Sequence, residues 1–145
     1  MFARKALMII ALGACILGLS GFGSQKNLVQ RPYKARGQVT GVIDLNKGTM
    51  EVSGVAYATH LGFVTSYAKG APNALKGTVT AANGDKLFWE SYDPLTVVFT
   101  GGTGRFMGAT GGYVAVDQQM VPRPNPPPGQ MIIDVTFLVE GTITY

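Results

Sequence analysis

The sequence is poor in the residues that usually build disulfides, metal sites and catalytic centres. It contains one cysteine, Cys15, and one histidine, His60, in 145 residues, and only 14% of its residues are charged. Because Cys15 lies in the N-terminal leader described below, the mature chain has no disulfide and its stability must come from the core. His60 has no second His or Cys nearby, so we predict neither a metal nor another cofactor.

The low charge also argues against several classes of partner and reaction. The formal net charge of +4 falls to +2 without the two basic residues of the leader. Lys and Arg do not cluster or interleave with aromatic residues, so nucleic acid is not an expected partner. No two carboxylates can be assigned to one pocket: Asp134 and Glu140 fall on the polar face of the last predicted strand, and Glu90 is predicted to face solvent. We therefore predict no catalytic residues.

Residues 1–24 have the pattern of a secretory signal peptide. Two basic residues precede an apolar run at 6–19, and the small residues Ser20, Gly21, Gly23 and Ser24 follow. This run is short for a membrane span, so we predict a cleaved signal peptide and a secreted or periplasmic protein. The alternative is a lipoprotein leader ending before Cys15, because residues 12–15 resemble a bacterial acylation site. A membrane would then be contacted only through the leader or the lipidated Cys15.

The rest of the chain has the alternation of apolar and polar residues that is typical of β-strands. We predict a linker at 25–32 and one barrel domain at 33–145. Val, Thr, Tyr and Phe recur with a period of two between clusters of turn residues. The predicted strands are 33–44, 50–59, 63–68, 75–82, 86–92, 95–100, 113–121 and 130–145. Residues 69–73 are expected to form a loop, and 121–129, with five prolines, an exposed one.

These strands favour one architecture. Eight strands, short hairpins and no helical periodicity predict an all-β fold, a single eight-stranded antiparallel barrel in which no sheet edge is left open. Glycines on the inward faces suit a small barrel whose strands coil sharply; they are Gly37, Gly41, Gly54, Gly77 and Gly141. A sandwich of two sheets is the alternative.

A glycine-rich stretch at 99–112 interrupts the alternation. It reads Phe-Thr-Gly-Gly-Thr-Gly-Arg-Phe-Met-Gly-Ala-Thr-Gly-Gly and contains six glycines. Glycine at this density indicates tight turns and close chain approach, so we predict a corner of the barrel between two strands. The stretch also resembles the entry to a dinucleotide-binding turn, but its glycine offsets differ and an alternating segment follows instead of a helix.

Four segments together resemble a known family. They are Ala-Thr-His-Leu-Gly at 58–62, Gly-Thr-Val-Thr-Ala-Ala-Asn-Gly-Asp at 77–85, the glycine-rich stretch with its Gly-Gly-Thr-Gly-Arg-Phe core, and Val-Glu-Gly-Thr-Ile at 139–143. A group of bacterial exported proteins that is similar to the allene oxide cyclase and dirigent barrels has similar segments. The resemblance covers 33–145 and implies an eight-stranded barrel with an apolar lumen.

What the resemblance implies about function is limited. The allene oxide cyclase and dirigent proteins of plants handle hydrophobic small molecules inside the barrel, a fatty-acid epoxide in one case and phenolic radicals in the other. Their acidic and tyrosine site residues have no matching positions in this sequence, so none is carried over. The proline-rich loop at 121–129 is longer than the turn expected in the family.

Five side chains are candidates for contact with a ligand: His60, Tyr67, Trp89, Arg105 and Phe137. His60 could lie at a barrel mouth and exchange a proton near neutral pH, or be a hairpin residue bonded to nearby backbone. Trp89 shares strand parity with Leu87, so it either stacks on a ligand in the lumen or fills the core. Tyr67 likewise either stacks on a ligand or fills the core, and the sequence does not decide whether its side chain points inward or outward.

The remaining two candidates differ in character. Arg105, inside the glycine-rich stretch, could pair with a ligand carboxylate, or it could tie the loop to backbone carbonyls or to an acid such as Asp93. Phe137 belongs to the apolar face of the last predicted strand and is expected to line the lumen.

The apolar inward residues with few polar groups among them suggest a binding function. We predict a secreted, non-enzymatic barrel that binds a small hydrophobic molecule in its lumen or serves as a structural barrel. Two alternatives remain: a cyclase or isomerase, of the allene oxide cyclase type that the resemblance implies, which steers a hydrophobic substrate by shape, and an envelope-tethered interaction module. An oligomer is compatible with the sequence.

Overall fold

The computed structural model describes residues 27–145 of the chain. The signal peptide predicted at 1–24, the alternative acylation of Cys15 and the first residues of the predicted linker lie outside the described residues. Within the described part, no helix is long and apolar enough to cross a membrane.

The described chain forms eight antiparallel strands that pair in sequence order, and the first strand also pairs with the last. The strands are β1 (Gln30–Asp44), β2 (Thr49–Ala58), β3 (Gly62–Ala71), β4 (Ala74–Ala81), β5 (Lys86–Ser91), β6 (Thr96–Gly102), β7 (Thr110–Pro122) and β8 (Gln130–Thr144). Because β1 and β8 pair along their full lengths, the sheet closes on itself. The predicted all-β, eight-stranded closed barrel is confirmed, and the two-sheet sandwich is excluded.

Several boundaries differ from the sequence-based expectation. β7 begins at Thr110 instead of residue 113 and continues to Pro122, so the first two residues of the predicted proline-rich loop pair with β8. β1 begins at Gln30, inside the segment assigned to the linker, and Pro32 lies within it. The strand tolerates this proline because β1 pairs there with β8 alone, so the missing N–H is not needed by β2. The loop predicted at 69–73 is wrong: β3 continues to Ala71 and only two residues separate it from β4.

The inward faces follow the predicted alternation. Val79 and Val135 are 7% and 8% exposed, and Val39 packs against the same core. Apolar side chains of this kind stabilise the barrel because they leave water when the strands close around them. The buried side chains form one core inside the barrel. Its members include Ala35, Val52, Leu61, Ala68, Leu87, Phe99, Val139 and Ile143.

The two ends of the barrel are built differently. The connections at 59–61, 82–85 and 103–109 lie at one end, which we call the closed end, and those at 45–48, 72–73, 92–95 and 123–129 lie at the other, the open end. At the closed end a 3-10 turn, Gly104–Phe106, carries the fully buried ring of Phe106 into the barrel. That ring meets the ring of Tyr145 edge-on, with centroids 5.0 Å apart.

The glycine-rich stretch is a corner between β6 and β7, as predicted. Gly104 and Gly108 have φ angles of +57° and +74°, which side chains with a Cβ rarely adopt. These two residues bracket Phe106 and turn the chain back into the barrel wall. No α-helix occurs in the described residues, so the dinucleotide-binding alternative has no structural basis.

Candidate functional site

A cavity of about 370 Å³ occupies the lumen and reaches the open end. All eight strands contribute to its wall, which is mainly apolar; among the lining residues are Val39, Val52, Leu75, Val97, Val135 and Phe137. The volume lies within the range of about 300–1,000 Å³ that is usual for small-molecule sites. The barrel is therefore not filled by its own side chains.

A few polar side chains also reach this cavity: Ser66, Ser91, Tyr113 and Gln118. The hydroxyl of Ser91 lies 2.5 Å from the carbonyl oxygen of Asp93 and 2.8 Å from that of Thr96. It therefore donates its hydrogen bond to the backbone of the β5–β6 turn. Burial raises the pKa of the Tyr113 phenol above its ordinary value, which keeps the group protonated and neutral. The ring of Tyr113 stacks on that of Tyr33.

The cavity lining carries one charged side chain, Asp93, in the turn between β5 and β6 at the open end. The Asp93 Oδ1 atom accepts hydrogen bonds from the backbone N–H groups of Leu95 and Thr96, both at 2.8 Å. Its carboxylate is thus held by the turn that it caps. Besides Asp93, the titratable side chain of the cavity lining is Tyr113, whose raised pKa keeps it neutral.

The structure brings two of the five predicted ligand-contacting residues together. Trp89 on β5 and Phe137 on β8 both line the cavity, and Trp89 is only 7% exposed. The other three lie elsewhere. Tyr67 on β3 is on the outer face with 51% of its surface exposed, while His60 and Arg105 lie at the closed end. Contact between a ligand and any of the five stays a prediction.

His60 and Arg105 have structural partners at the closed end. His60 Nε2 lies 2.9 Å from the carbonyl oxygen of Pro32, which ties the β2–β3 turn to β1. Arg105 Nε lies 3.4 Å from Asp85 Oδ2, and its guanidinium stands 4.7 Å from the centre of the Phe106 ring. The acid that holds the glycine-rich corner is therefore Asp85, in the β4–β5 turn, and not Asp93.

Strand parity did not point to Gln118 as a lumen residue. Strict alternation from Tyr113 places Asp117 inward and Gln118 outward. The pairing of β7 with β8 shifts by one residue between Ala115 and Asp117, so Gln118 lies opposite the inward Phe137. A bulge of this kind reverses the faces of all later residues in the strand, and no residue type in the sequence marks it.

A polar cluster on the outer face holds the proline-rich loop at the open end. The Nε and Nη2 atoms of Arg123 donate to the two carboxylate oxygens of Asp134 at 2.6 and 2.7 Å, and the Thr40 hydroxyl donates to Asp134 Oδ1 at 2.8 Å. These bonds to Arg123 and Thr40 lower the pKa of the Asp134 carboxyl. The cluster fixes the start of the loop against β1 and β8.

Residues 27–145 contain no group of three or more His, Cys, Asp or Glu side chains that could hold a metal ion. The lumen cavity, with its apolar wall and few polar atoms, has the form of a small-molecule site. No protein-family model, curated protein sequence or solved structure matches the chain.

Proposed function

We propose that the protein binds a small, mainly apolar molecule in the lumen of its barrel and does not transform it. The cavity of about 370 Å³ supports this proposal, because its wall is apolar and it is reached from the open end. Burial of apolar ligand surface would supply most of the binding free energy, at about 25 cal/mol per Å². The single charge at the cavity, on Asp93, offers no acid–base pair for catalysis.

Binding can be followed through the protein's own fluorescence. Trp89 is the single tryptophan of the sequence and lines the cavity, so its emission reports on the lumen directly. We expect saturable changes in Trp89 emission, and a raised Tm, with members of a panel of medium-chain alcohols, alkylphenols and fatty acids. A ligand at 100 times its Kd should stabilise the fold by about 2.7 kcal/mol. A panel without effect on either signal would contradict the proposal.

A matched pair of variants tests whether the lumen is the site. Ala115 lines the cavity, whereas its neighbour Val114 is 49% exposed on the outer face. Ala115→Leu puts three additional carbons into the cavity and should weaken binding by about tenfold, or about 1.4 kcal/mol. Val114→Leu, measured by the same fluorescence titration, should leave Kd unchanged. Equal effects of the two variants would place binding outside the lumen.

The second candidate function is a cyclase or isomerase that steers a reactive hydrophobic substrate by shape. The hydroxyl of Tyr113 and the amide of Gln118 beside a cavity of this size favour it, since such a reaction needs both space and polar atoms. Product analysis separates the two functions. A fatty-acid epoxide recovered unchanged after incubation supports simple binding, and its conversion to an isomer, seen by chromatography, supports catalysis.

We also propose that the barrel is exported and related to the allene oxide cyclase and dirigent barrels. The export proposal rests on the pattern of residues 1–24, and the relationship rests on the four sequence segments together with the eight-stranded closed barrel. Cell fractionation and the mass of the mature chain test export. Replacement of Cys15 by Ser should leave processing unchanged if the leader is a plain signal peptide, and should abolish lipidation if the chain is an envelope-tethered module.

A further inference from the structure

The open end of the barrel carries three charged side chains in its connections, and they differ in their partners. They are Lys47, Asp93 and Arg123. The Nζ atom of Lys47 lies 3.8 Å from Asp44 Oδ2, and Arg123 is bound by both carboxylate oxygens of Asp134. Asp93 forms no salt bridge with any residue that the structure describes. The one negative charge in these connections is therefore left without a cation from the described chain.

The other acidic residues show how distinctive Asp93 is. The sequence contains eight Asp and Glu residues, and six of them form a salt bridge with Lys or Arg. Within residues 27–145, the two without such a bridge are Asp93 and Asp117. Asp117 is exposed on the outside of β7 and does not line the cavity. Asp93 is thus the unpaired carboxylate that a molecule in the lumen can reach.

Hydrogen bonds hold this carboxylate at the mouth of the cavity. Its Oδ1 atom accepts from the backbone N–H groups of Leu95 and Thr96, both at 2.8 Å. The Oδ2 atom has no hydrogen-bond partner in the part of the chain that the structure describes. Asp93, Pro94 and Leu95 line the cavity, together with Pro72 of the β3–β4 turn. The β5–β6 turn therefore fixes one carboxylate oxygen and leaves the other as an acceptor at the mouth.

The wall beyond the mouth accepts apolar groups and opposes a second charge. The lining residues include no Lys, Arg or His. A charged group moved among them would lose its hydration without gaining an opposite charge, which opposes its entry. A volume of about 370 Å³ corresponds to about twelve water molecules. Because a methylene group is about as large as a water molecule, the cavity accommodates a chain of eight carbons.

We propose that the lumen binds cationic amphiphiles, whose apolar chain enters the cavity while an ammonium group stays at the open end beside Asp93. This inference rests on the proposed binding in the lumen and specifies its ligand class. An ion pair in contact with water is weak, so the preference over an uncharged head group is about threefold to fivefold. An anionic head group is repelled by the same carboxylate.

Three molecules of equal chain length test the proposal: octylamine, 1-octanol and octanoate. At about pH 7 an alkyl amine is protonated, like the side chain of Lys, and a carboxylic acid is ionised. Calorimetry and Trp89 emission at low ionic strength give the three Kd values. We expect octylammonium to bind about threefold to fivefold more tightly than octanol. Octanoate should bind more weakly than octanol.

A matched pair of variants assigns the preference to its residue. Asp44 has the same role in the β1–β2 turn, where its Oδ1 accepts from the N–H groups of Asn46 and Lys47 at 3.0 Å, but it does not line the cavity. Asparagine keeps the side-chain oxygen that caps each turn and removes the charge. Asp93→Asn should abolish the preference for octylammonium and leave the Kd of octanol unchanged. Asp44→Asn should preserve the ranking of the three ligands.

Salt provides a test on the wild-type protein that does not depend on any variant folding. Raising the salt concentration to about 1 M shortens the Debye length to about 3 Å and screens an exposed ion pair. The ratio of the octanol Kd to the octylammonium Kd should therefore fall toward one. Because both ligands carry the same chain, their ratio cancels the effect of salt on apolar burial. A ratio that is unchanged by salt would contradict an ion pair at the mouth.

The outcomes separate this inference from the function on which it rests. Octylammonium that binds no more tightly than octanol, or a preference that survives Asp93→Asn, overturns the inference and leaves lumen binding intact. Equal losses of preference in Asp93→Asn and Asp44→Asn would overturn the assignment to Asp93. Failure of all three molecules and of the fluorescence panel would overturn lumen binding itself, and this inference with it.

Discussion

At the scale of single residues, Gly77 and Trp89 form the pair on which the lumen depends most. The indole lies against the backbone of Gly77, where a Cβ would come within 2.2 Å of the ring. Glycine weakens a strand interior, since it has no side chain to pack and the largest conformational freedom to lose. In β4 this cost is offset by the burial of the largest side chain in the sequence.

We expect Gly77→Ala to destabilise the barrel by about 1–3 kcal/mol, because the new methyl group forces the indole out of its position. Urea denaturation measures the loss, and Thr78→Ala at the neighbouring outward position is the control. The pair is coupled, so combining Gly77→Ala with Trp89→Leu should cost less than the sum of the two single changes. Additive costs would show that the alanine acts through the backbone and not through the indole.

A second prediction at the residue scale concerns Asp134 and the dependence of the protein's stability on pH. Its hydrogen bonds with Arg123 and Thr40 lower the pKa of its carboxyl in the folded chain, whereas the unfolded value is about 3.9. A lowered folded pKa stabilises the protein above the unfolded pKa, and this contribution disappears as the pH falls through the folded pKa. Asp134→Asn should therefore be less stable than the wild type near pH 7, and the gap should close below about pH 4.

Urea denaturation at a series of pH values compares the two proteins. Asp117→Asn removes an equal charge from an exposed position on the outside of β7 and is the control for net charge. A gap between wild type and Asp134→Asn that persists at the lowest pH would indicate that the substitution acts through something other than the carboxylate charge.

At the scale of elements, the glycine-rich corner decides which end of the barrel is closed. Three connections meet at that end, and only the one between β6 and β7 sends a large ring into the barrel. Phe106 is fully buried there, while the next residue, Met107, is 66% exposed. The flanking glycines with positive φ make this sharp change of direction accessible.

In this corner, the contributions of a buried and an exposed neighbouring side chain to stability can be compared directly. We expect Phe106→Ala to cost about 3–5 kcal/mol, since it removes a buried ring and leaves a cavity at the closed end. Met107→Ala should change the stability by no more than about 0.5 kcal/mol, as is usual for exposed positions. Thermal or urea denaturation distinguishes the two. Similar losses for both variants would mean that the ring of Phe106 does not seal the barrel.

At the scale of the whole molecule, closure depends on β1 and β8, the strands farthest apart in the sequence. Their ladder joins Gln30 to Thr144 at one end and Asp44 to Gln130 at the other. Val29 and Tyr145 continue the pairing with reciprocal backbone hydrogen bonds of 3.2 and 3.4 Å. The two ends of the described chain are therefore adjacent, and the long ladder between distant segments predicts slow folding, in milliseconds to seconds.

This adjacency predicts that the barrel tolerates circular permutation. A short glycine–serine linker from Tyr145 to residue 27, with new termini between Asn125 and Pro126 in the exposed loop, keeps every strand pair intact. We expect the permuted chain to show the same far-UV circular dichroism and the same ligand titration through Trp89. The control cuts the chain instead between Val97 and Val98, inside β6, and should not fold. A permutant that fails like this control would contradict the adjacency of the ends.

The sequence by itself determined the strands, their hairpin order and the inward or outward side of most residues, because alternation is a local property that each strand carries alone. Parity thus predicted the lumen positions of Trp89 and Phe137 correctly. Parity failed at Gln118, since a single bulge reverses the alternation without any local signal. The partner of Arg105 was likewise decided by how two distant turns meet at the closed end.

The sequence favoured a barrel and left a sandwich as the alternative, and only the tertiary structure decided between the two. The tertiary structure alone also showed that Phe106 seals one end and that a cavity remains in the lumen. A sandwich and a barrel share the same alternating pattern, and they differ in whether the first strand pairs with the last across the whole chain. The volume of the cavity is the volume that the eight strands enclose minus the volume of the side chains that point into it. That difference depends on all eight strands at once, so no segment of the sequence carries it.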